Sequence, residues 1–133
     1  MPLVTMPIPA ATKCWRGDGQ YDWSHAEHEL AFSEQQGGEA QWLIGLELGA
    51  VAPWFAHAHP REVHEVVGGV ALANIVSPVW KANVCRLVGD FAAWLKSTRW
   101  ARRVAGFALT AGGADGWRIH DAEETVRGRY HPA

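Results

Sequence analysis

The most regular pattern of apolar residues runs from residue 78 to residue 98. These residues recur at steps of three and four positions, and they are Trp80, Val84, Leu87, Val88, Phe91, Trp94 and Leu95. Ser77 and Pro78 stand just before them, and a serine cap followed by proline at the first helical position favours a helix start. The spacing therefore predicts an amphipathic helix over 78–98.

A second helix is predicted over 24–36. Either Asp22 or Ser24 can cap it, and Glu27 stands at the spacing of a capping box from Ser24. Two consecutive glycines at 37 and 38 then supply the stop that commonly ends a helix.

Strands are predicted where the apolar period changes to two. Between residues 39 and 49 every second residue is strongly apolar, and 104–110 is another short apolar run. Residues 117–121 form a further candidate strand, and the glycine-rich turn 112–116 would join it to 104–110 as a hairpin.

Residues 61–76 fit two structures. Their valines recur at a spacing that suits a helix, whereas Gly68 and Gly69 suit the turn of a two-residue hairpin. Two glycines inside a helix cost about 2 kcal/mol relative to alanine. The glycines therefore favour the hairpin.

Together these patterns predict one α+β domain, in which the two helices pack on a mostly antiparallel sheet. Its globular part spans 21–122. Three prolines mark residues 1–20 as an extended N-terminal arm, and 123–133 is either a polar tail or an edge strand. The segment 53–60 has proline at both ends and is predicted to be an exposed connection.

Composition limits the classes of function. The chain has 133 residues, 48% of them hydrophobic and 20% charged, which is typical of a single globular domain. A net charge of −2 gives no basic field for nucleic acid, and no apolar stretch approaches the roughly 20 residues of a membrane span. We therefore expect neither nucleic acid nor a membrane as a partner.

Cysteine usage and the N-terminal residues bear on the compartment. The two cysteines, Cys14 and Cys85, are not needed as a staple in a chain of this size, and we expect Cys85 on the apolar side of the long helix. The first residues have no positive region of the kind that precedes a signal peptide. A cytoplasmic protein is the expectation.

Tryptophan is the most unusual component, with eight residues in the chain. Trp42, Trp80 and Trp94 fall on predicted inward faces, but other aromatic residues fall in loops or at the ends of elements. Exposed indole is enriched at the centre of protein interfaces. We therefore predict an interaction surface formed by Trp15, Trp54, Phe55, Trp100 and Trp117.

A histidine cluster offers an alternative site. His57 and His59 have the His-x-His spacing that begins several metal sites, and His64 follows them closely. This pattern suggests a divalent metal bound by the three imidazoles.

Residues 76–109 resemble part of the GNAT acetyltransferase core, through Pro78, the helical run Phe91–Leu95 and the following Arg102–Val104. The resemblance implies that the start of the long helix would bind the pyrophosphate of acetyl-CoA, with Lys81 and Asn83 as candidate cofactor-binding residues. The glycine-containing phosphate motif of the family is not matched, since Val84 and Arg86 occupy its positions.

No nucleophile triad is visible in the sequence. The leading prediction is therefore a protein without catalysis, which uses loop and arm aromatics to bind a protein partner or copies of itself. Small structural subunits and inhibitors of host machinery encoded by viruses or mobile elements offer an analogy. The alternatives are a diverged acyl-CoA-dependent transferase and a metal-binding domain.

Overall fold

The computed structural model describes residues 2–65 and 71–110. Within them the strands are β1 (Leu3–Ile8), β2 (Trp15–Gly17), β3 (Gln20–Tyr21), β4 (Gln41–Glu47), β5 (Val63–Glu65), β6 (Ala71–Ala73) and β7 (Val104–Thr110). The helices are α1 (Ala10–Lys13), α2 (Ser24–Gln35), α3 (Pro53–Ala58) and α4 (Pro78–Lys96). Short 3₁₀ turns precede β5 and β7.

A three-stranded sheet in the order β1-β4-β7 is the centre of the fold. β4 lies parallel to both neighbours, and the register places Ile44 beside Met6 on one side and beside Phe107 on the other. Two small antiparallel pairs, β2–β3 and β5–β6, flank this sheet. The α+β class is therefore confirmed.

The main sheet differs from the expected one because it is parallel. The connection from β1 to β4 contains α2, and the connection from β4 to β7 contains α4. A helical crossover returns the chain to the end of the sheet where it started, so the next strand runs in the same direction. Among the described residues, antiparallel pairing occurs in the two small pairs and in an isolated bridge between Ala50 and Leu72.

The predicted N-terminal arm, 1–20, is extended only over Leu3–Ile8, since α1 and β2 follow within it, and it does not lie outside the domain. β1 pairs with β4 along its whole length, and the Met6 and Ile8 side chains are buried. Its prolines mislead because β1 is an edge strand, where a missing N–H costs nothing if it faces away from the neighbouring strand.

The segment 53–60 also differs from the prediction. Residues Pro53–Ala58 form α3, and Pro60 begins a 3₁₀ turn. Proline is well suited to the first position of a helix, whose N–H would have no helical partner. The two prolines therefore start short helices instead of excluding them.

The other predicted elements are confirmed. The long helix ends at Lys96, close to the expected position, and the Ser77 hydroxyl accepts a hydrogen bond from the Trp80 N–H at 3.1 Å. β5 and β6 pair as a hairpin, although its turn lies outside the described residues, as do the predicted strand 117–121 and the tail 123–133.

The core lies on one side of the main sheet. Trp42, Ile44 and Leu46 of β4 are at most 2% exposed. They belong to one buried cluster with Leu30 of α2 and Phe91 of α4. None of the helices in 2–65 and 71–110 is long and apolar enough to cross a bilayer.

Candidate interaction surface

The aromatic residues predicted to form an interaction surface are mostly internal. Trp15 is 4% exposed, Phe55 0% and Trp100 5%, and Trp54 is half-buried. Trp117 lies outside the described residues. The prediction that loop aromatics form an exposed surface is therefore wrong for the four residues whose positions are described.

Mutual packing explains why these rings are buried. Trp15 packs edge-on against Trp54 at 5.0 Å between ring centroids and stacks on Phe55 at 6.0 Å, while Phe55 contacts the His59 ring at 4.8 Å. Aromatic pairs in such arrangements gain about 1 kcal/mol beyond area burial. The β2–β3 hairpin, which carries Trp15, and α3 therefore bury each other's aromatic rings.

Trp100 lies just after α4, belongs to the buried core cluster and has one charged neighbour over its ring. The Arg99 guanidinium lies 4.3 Å from the ring centroid of Trp100 and bonds Glu34 of α2 at 3.0 Å. The hydrogen bond from Arg99 lowers the pKa of the Glu34 carboxyl. Arg99 therefore links the end of α2 to the turn after α4 and covers the ring of Trp100.

A second aromatic stack attaches the β2–β3 hairpin to α4. Trp23 lies between Tyr21 and Trp94, with centroid distances of 4.6 Å and 5.4 Å. The Tyr21 hydroxyl donates a hydrogen bond to Asp90, and burial together with this bond raises the pKa of Tyr21. Arg86 bonds Asp18 at 2.8 Å across the same junction.

The histidines do not form a metal site. His57 is exposed on α3, His59 packs against Phe55, and His64 lies in β5. In the parts of the chain that the structure describes, no three His, Cys, Asp or Glu side chains are grouped so as to hold a metal ion. The sequence spacing misleads because α3 and the 3₁₀ turn replace the extended segment on which it depends.

The cofactor-binding candidates lie on the first turns of α4. Lys81 is exposed, and the Asn83 amide donates to the Val79 carbonyl at 2.9 Å. The Ser77 side chain already occupies the Trp80 N–H. These contacts stabilise the helix itself, and none of them favours an acetyl-CoA site.

The two cysteines lie in different environments. Cys14 is buried, and burial raises the pKa of its thiol. Cys85 is exposed, so its predicted position on the apolar side of the helix is wrong. It lies next to Val84, just outside the buried stripe.

The side of the main sheet that faces away from the core has none of the described helices packed against it. We name it the open face, and its members are Thr5, Pro7, Leu43, Gly45, Gly106 and Ala108. Thr5 and Pro7 are exposed and the other four are half-buried, whereas the core-side residues Met6, Ile8, Trp42, Ile44 and Leu46 are buried. In β7 the contrast is reversed, because Phe107 and Leu109 on the core side are exposed. The described residues thus bury the core side of β1 and β4 and leave the other side of the sheet partly accessible.

Small residues at the centre of the open face leave room above the sheet. A Cβ atom built on Gly45 would meet only Met6 O and Pro7 Cα, both at 3.9 Å, and one on Gly106 would meet only Leu43 Cδ1 at 4.0 Å. Glycine inside a strand weakens it and often marks a close approach of another backbone. Gly45 in the apolar alternation was the sequence signal for this surface, which our sequence reasoning missed.

No family model, curated protein or solved structure matches this chain.

Proposed function

We propose that this chain acts without catalysis as a protein-interaction or assembly module that packs its open face against another protein. The observation that carries the proposal is the partial exposure of the side of an all-parallel sheet that faces away from the core, in residues 2–65 and 71–110. Parallel sheets occur almost only with both sides covered. A surface of this kind is expected to be covered in the working state.

The chemistry of the open face suits another protein surface. Its centre holds uncharged side chains, Leu43 and Ala108 among them, and the charged Glu47 lies at one end. Glycines at the centre permit a second layer to approach closely. Apolar centres with polar rims are typical of protein interfaces.

The size of the open face sets the expected strength of binding. Three strands about 4.8 Å apart and six residues of about 3.3 Å each give roughly 300 Å². Stable complexes bury about 800 Å² per partner. The open face alone therefore supports a transient contact, and a stable one requires more surface.

Affinity capture with the native chain and with Leu43→Glu tests the proposal. The substitution places a charge at the centre of the open face, and it should remove a specific captured protein while leaving the unfolding midpoint nearly unchanged. Phe32→Glu is the control for the added charge, because Phe32 is 56% exposed on α2 and the change in charge is the same.

Two results would contradict the proposal. A large fall in stability for Leu43→Glu would show that the face is internal to the folded chain. Equal capture by native and Leu43→Glu protein, with loss in Phe32→Glu, would place binding on the helical side.

The acyltransferase hypothesis stays a prediction that no contact of Lys81 or Asn83 favours. The metal-binding hypothesis is not carried further, because His57, His59 and His64 do not form a ligand set.

A further inference from the structure

The open face consists of rows of residues that run across the three strands. The register places Thr5, Leu43 and Gly106 side by side, and the next row is formed by Pro7, Gly45 and Ala108. Successive rows lie two residues apart along the strands, which corresponds to about 6.6 Å. The rows can therefore be compared in bulk and in charge.

The bulk of the rows changes along the strand direction. Leu43 is half-buried, and Leu3, which lies two residues before Thr5 on the same side of β1, is 57% exposed. The row at Gly45 has no side chain larger than that of proline, and a Cβ on Gly45 would meet only ordinary contacts at 3.9 Å. Bulky apolar side chains thus lie at one end, and a shallow depression lies over Gly45.

The row beyond the depression carries a negative charge. Glu47 lies on the same side of β4 as Gly45, pairs in register with Thr110 and is exposed. Among the described residues, no cation lies within salt-bridge distance of the Glu47 carboxylate. A molecule that covers Gly45 therefore meets a carboxylate one row further along the strand.

A helix is the element that fits these rows. Parallel sheets are covered by helices on both sides, and α2 and α4 already contribute to the core on one side. Three strands about 4.8 Å apart match the diameter of one helix, which is about 10 Å. One helical turn rises about 5.4 Å, close to the row spacing of about 6.6 Å. Side chains on successive turns of one helix can therefore each cover one row.

We propose that the partner covers the open face with one amphipathic α-helix that lies along β4. It places a bulky apolar side chain over Gly45 and a lysine or arginine beside Glu47. The length of β4, about 20 Å, corresponds to about 13 helical residues. This inference rests on the proposed function and names the element that the partner supplies. The small area of the open face predicts a weak complex, of micromolar affinity or weaker.

Selection of peptides on the purified full-length chain tests the helix. One library holds peptides of about 14 residues in a helix by a side-chain staple, and a second library holds cyclic peptides of the same length as β-hairpins. Binders that Leu43→Glu abolishes should come from the helical library. They should carry apolar residues on successive turns of one face, with lysine or arginine one turn further.

Filling the depression tests the position of the helix. Gly45→Leu should weaken a selected helical peptide about tenfold or more in fluorescence anisotropy, because a bulky apolar side chain loses its place. Gly89→Leu is the matched control, since Gly89 is exposed on α4 and a Cβ there has nothing within 4 Å. The control should leave the affinity unchanged.

Reversing the charge tests the contact with Glu47. Glu47→Lys should weaken the same peptide up to about fivefold, as expected for an exposed ion pair. Glu39→Lys is the matched control, because Glu39 is also exposed but precedes the opposite end of β4. Circular dichroism checks that all variants are folded. If Gly45→Leu does not fold, the two lysine variants decide.

Three results would overturn the helix. They are Leu43-dependent binders from the hairpin library alone, helical binders that tolerate both Gly45→Leu and Glu47→Lys, and equal losses of affinity in the matched controls. Absence of any binder sensitive to Leu43→Glu, which is the outcome if residues 111–133 cover the open face, would overturn it as well. Capture of a protein that Leu43→Glu abolishes, together with any of these results, would keep the proposed function and remove only the helix.

Discussion

The two sides of the main sheet are built from different residues of the same strands. In β4, the side chains of Trp42 and Ile44 point into the core and are at most 2% exposed, while Leu43 and Gly45 between them lie on the open face. The large aromatic residues are concentrated on the covered side. In this chain the described tryptophan rings therefore indicate the interior, whereas Phe32 and Phe107 are exposed, and small residues lie at the centre of the open face.

The comparison corrects a common inference from composition. Eight tryptophans in 133 residues suggest more indole than a small core can enclose. None of the seven tryptophans that the structure describes is exposed. Rings from the β2–β3 hairpin, α3 and the ends of α4 pack against each other. A count of aromatic residues does not reveal such mutual burial.

The largest expected effect comes from truncating the covered side. Trp42→Ala should lower the free energy of unfolding by about 3–5 kcal/mol, because the ring is buried and also packs against Arg103 at 4.4 Å. Leu43→Ala, one residue away on the open face and half-buried, should cost about 1 kcal/mol. Urea unfolding measures both, and similar losses would mean that the two sides are equally enclosed.

A smaller effect is expected where the hairpin meets α4. Gly19 has φ 69°, and a Cβ there would lie 2.4 Å from Arg86 Nη2, whereas Gly38 has φ 84° with nothing within 4 Å. Alanine at either position should cost about 1–2 kcal/mol for the left-handed backbone. Gly19→Ala should cost up to about 1 kcal/mol more, since it displaces Arg86 from Asp18.

Thermal or urea unfolding of the two alanine variants gives that difference directly. Equal losses of unfolding free energy would show that the contact between the β2–β3 hairpin and Arg86 does not stabilise the covered side of the sheet.

Tyr21→Phe should weaken the same junction by about 1 kcal/mol at neutral pH, the usual net value of a hydrogen bond. Burial and Asp90 raise the pKa of Tyr21 above its ordinary value, so the folded chain favours the neutral phenol. This contribution is complete below about pH 10, where the unfolded tyrosine begins to ionise, and it is lost as the pH rises further.

Unfolding free energies of native and Tyr21→Phe protein should therefore converge above about pH 10. Absorbance titration in a Tyr130→Phe background isolates the Tyr21 phenol. If the native and Tyr21→Phe proteins lost the same unfolding free energy above that pH, the predicted rise in the pKa of Tyr21 would be contradicted.

The smallest effect is a gain on the open face. Gly45→Ala should stabilise the isolated chain by about 0.5 kcal/mol, because alanine restricts the unfolded chain and its Cβ meets only ordinary contacts. Calorimetry of the purified protein measures the change. A loss of stability would show that another layer already covers Gly45, which would remove the contrast between the two sides.

Local signals in the sequence predicted much of the fold. Ser77 and Pro78 start α4, the glycines after α2 end it, and the run Val104–Thr110 is a strand with the predicted bounds. These features depend on neighbouring residues and on the period of apolar side chains. Periodicity therefore identified them without knowledge of the tertiary structure.

Features that depend on distant residues were not predicted. The parallel direction of β1 and β4 depends on where the α2 crossover returns the chain, and the burial of Trp15 depends on Trp54 and Phe55. The open face was missed for the same reason, since only the assembled sheet brings Thr5, Gly45 and Ala108 together.

The order of strands in the main sheet also has a consequence for folding kinetics. Leu3 pairs with Gln41, and Trp42 pairs with Val104, so each contact between strands closes a long stretch of chain. High contact order slows folding, because the entropy of loop closure is lost before the contacts form. On the ribosome, β1 is made first but waits for β4, and the sheet is complete only after α4 and β7 have emerged.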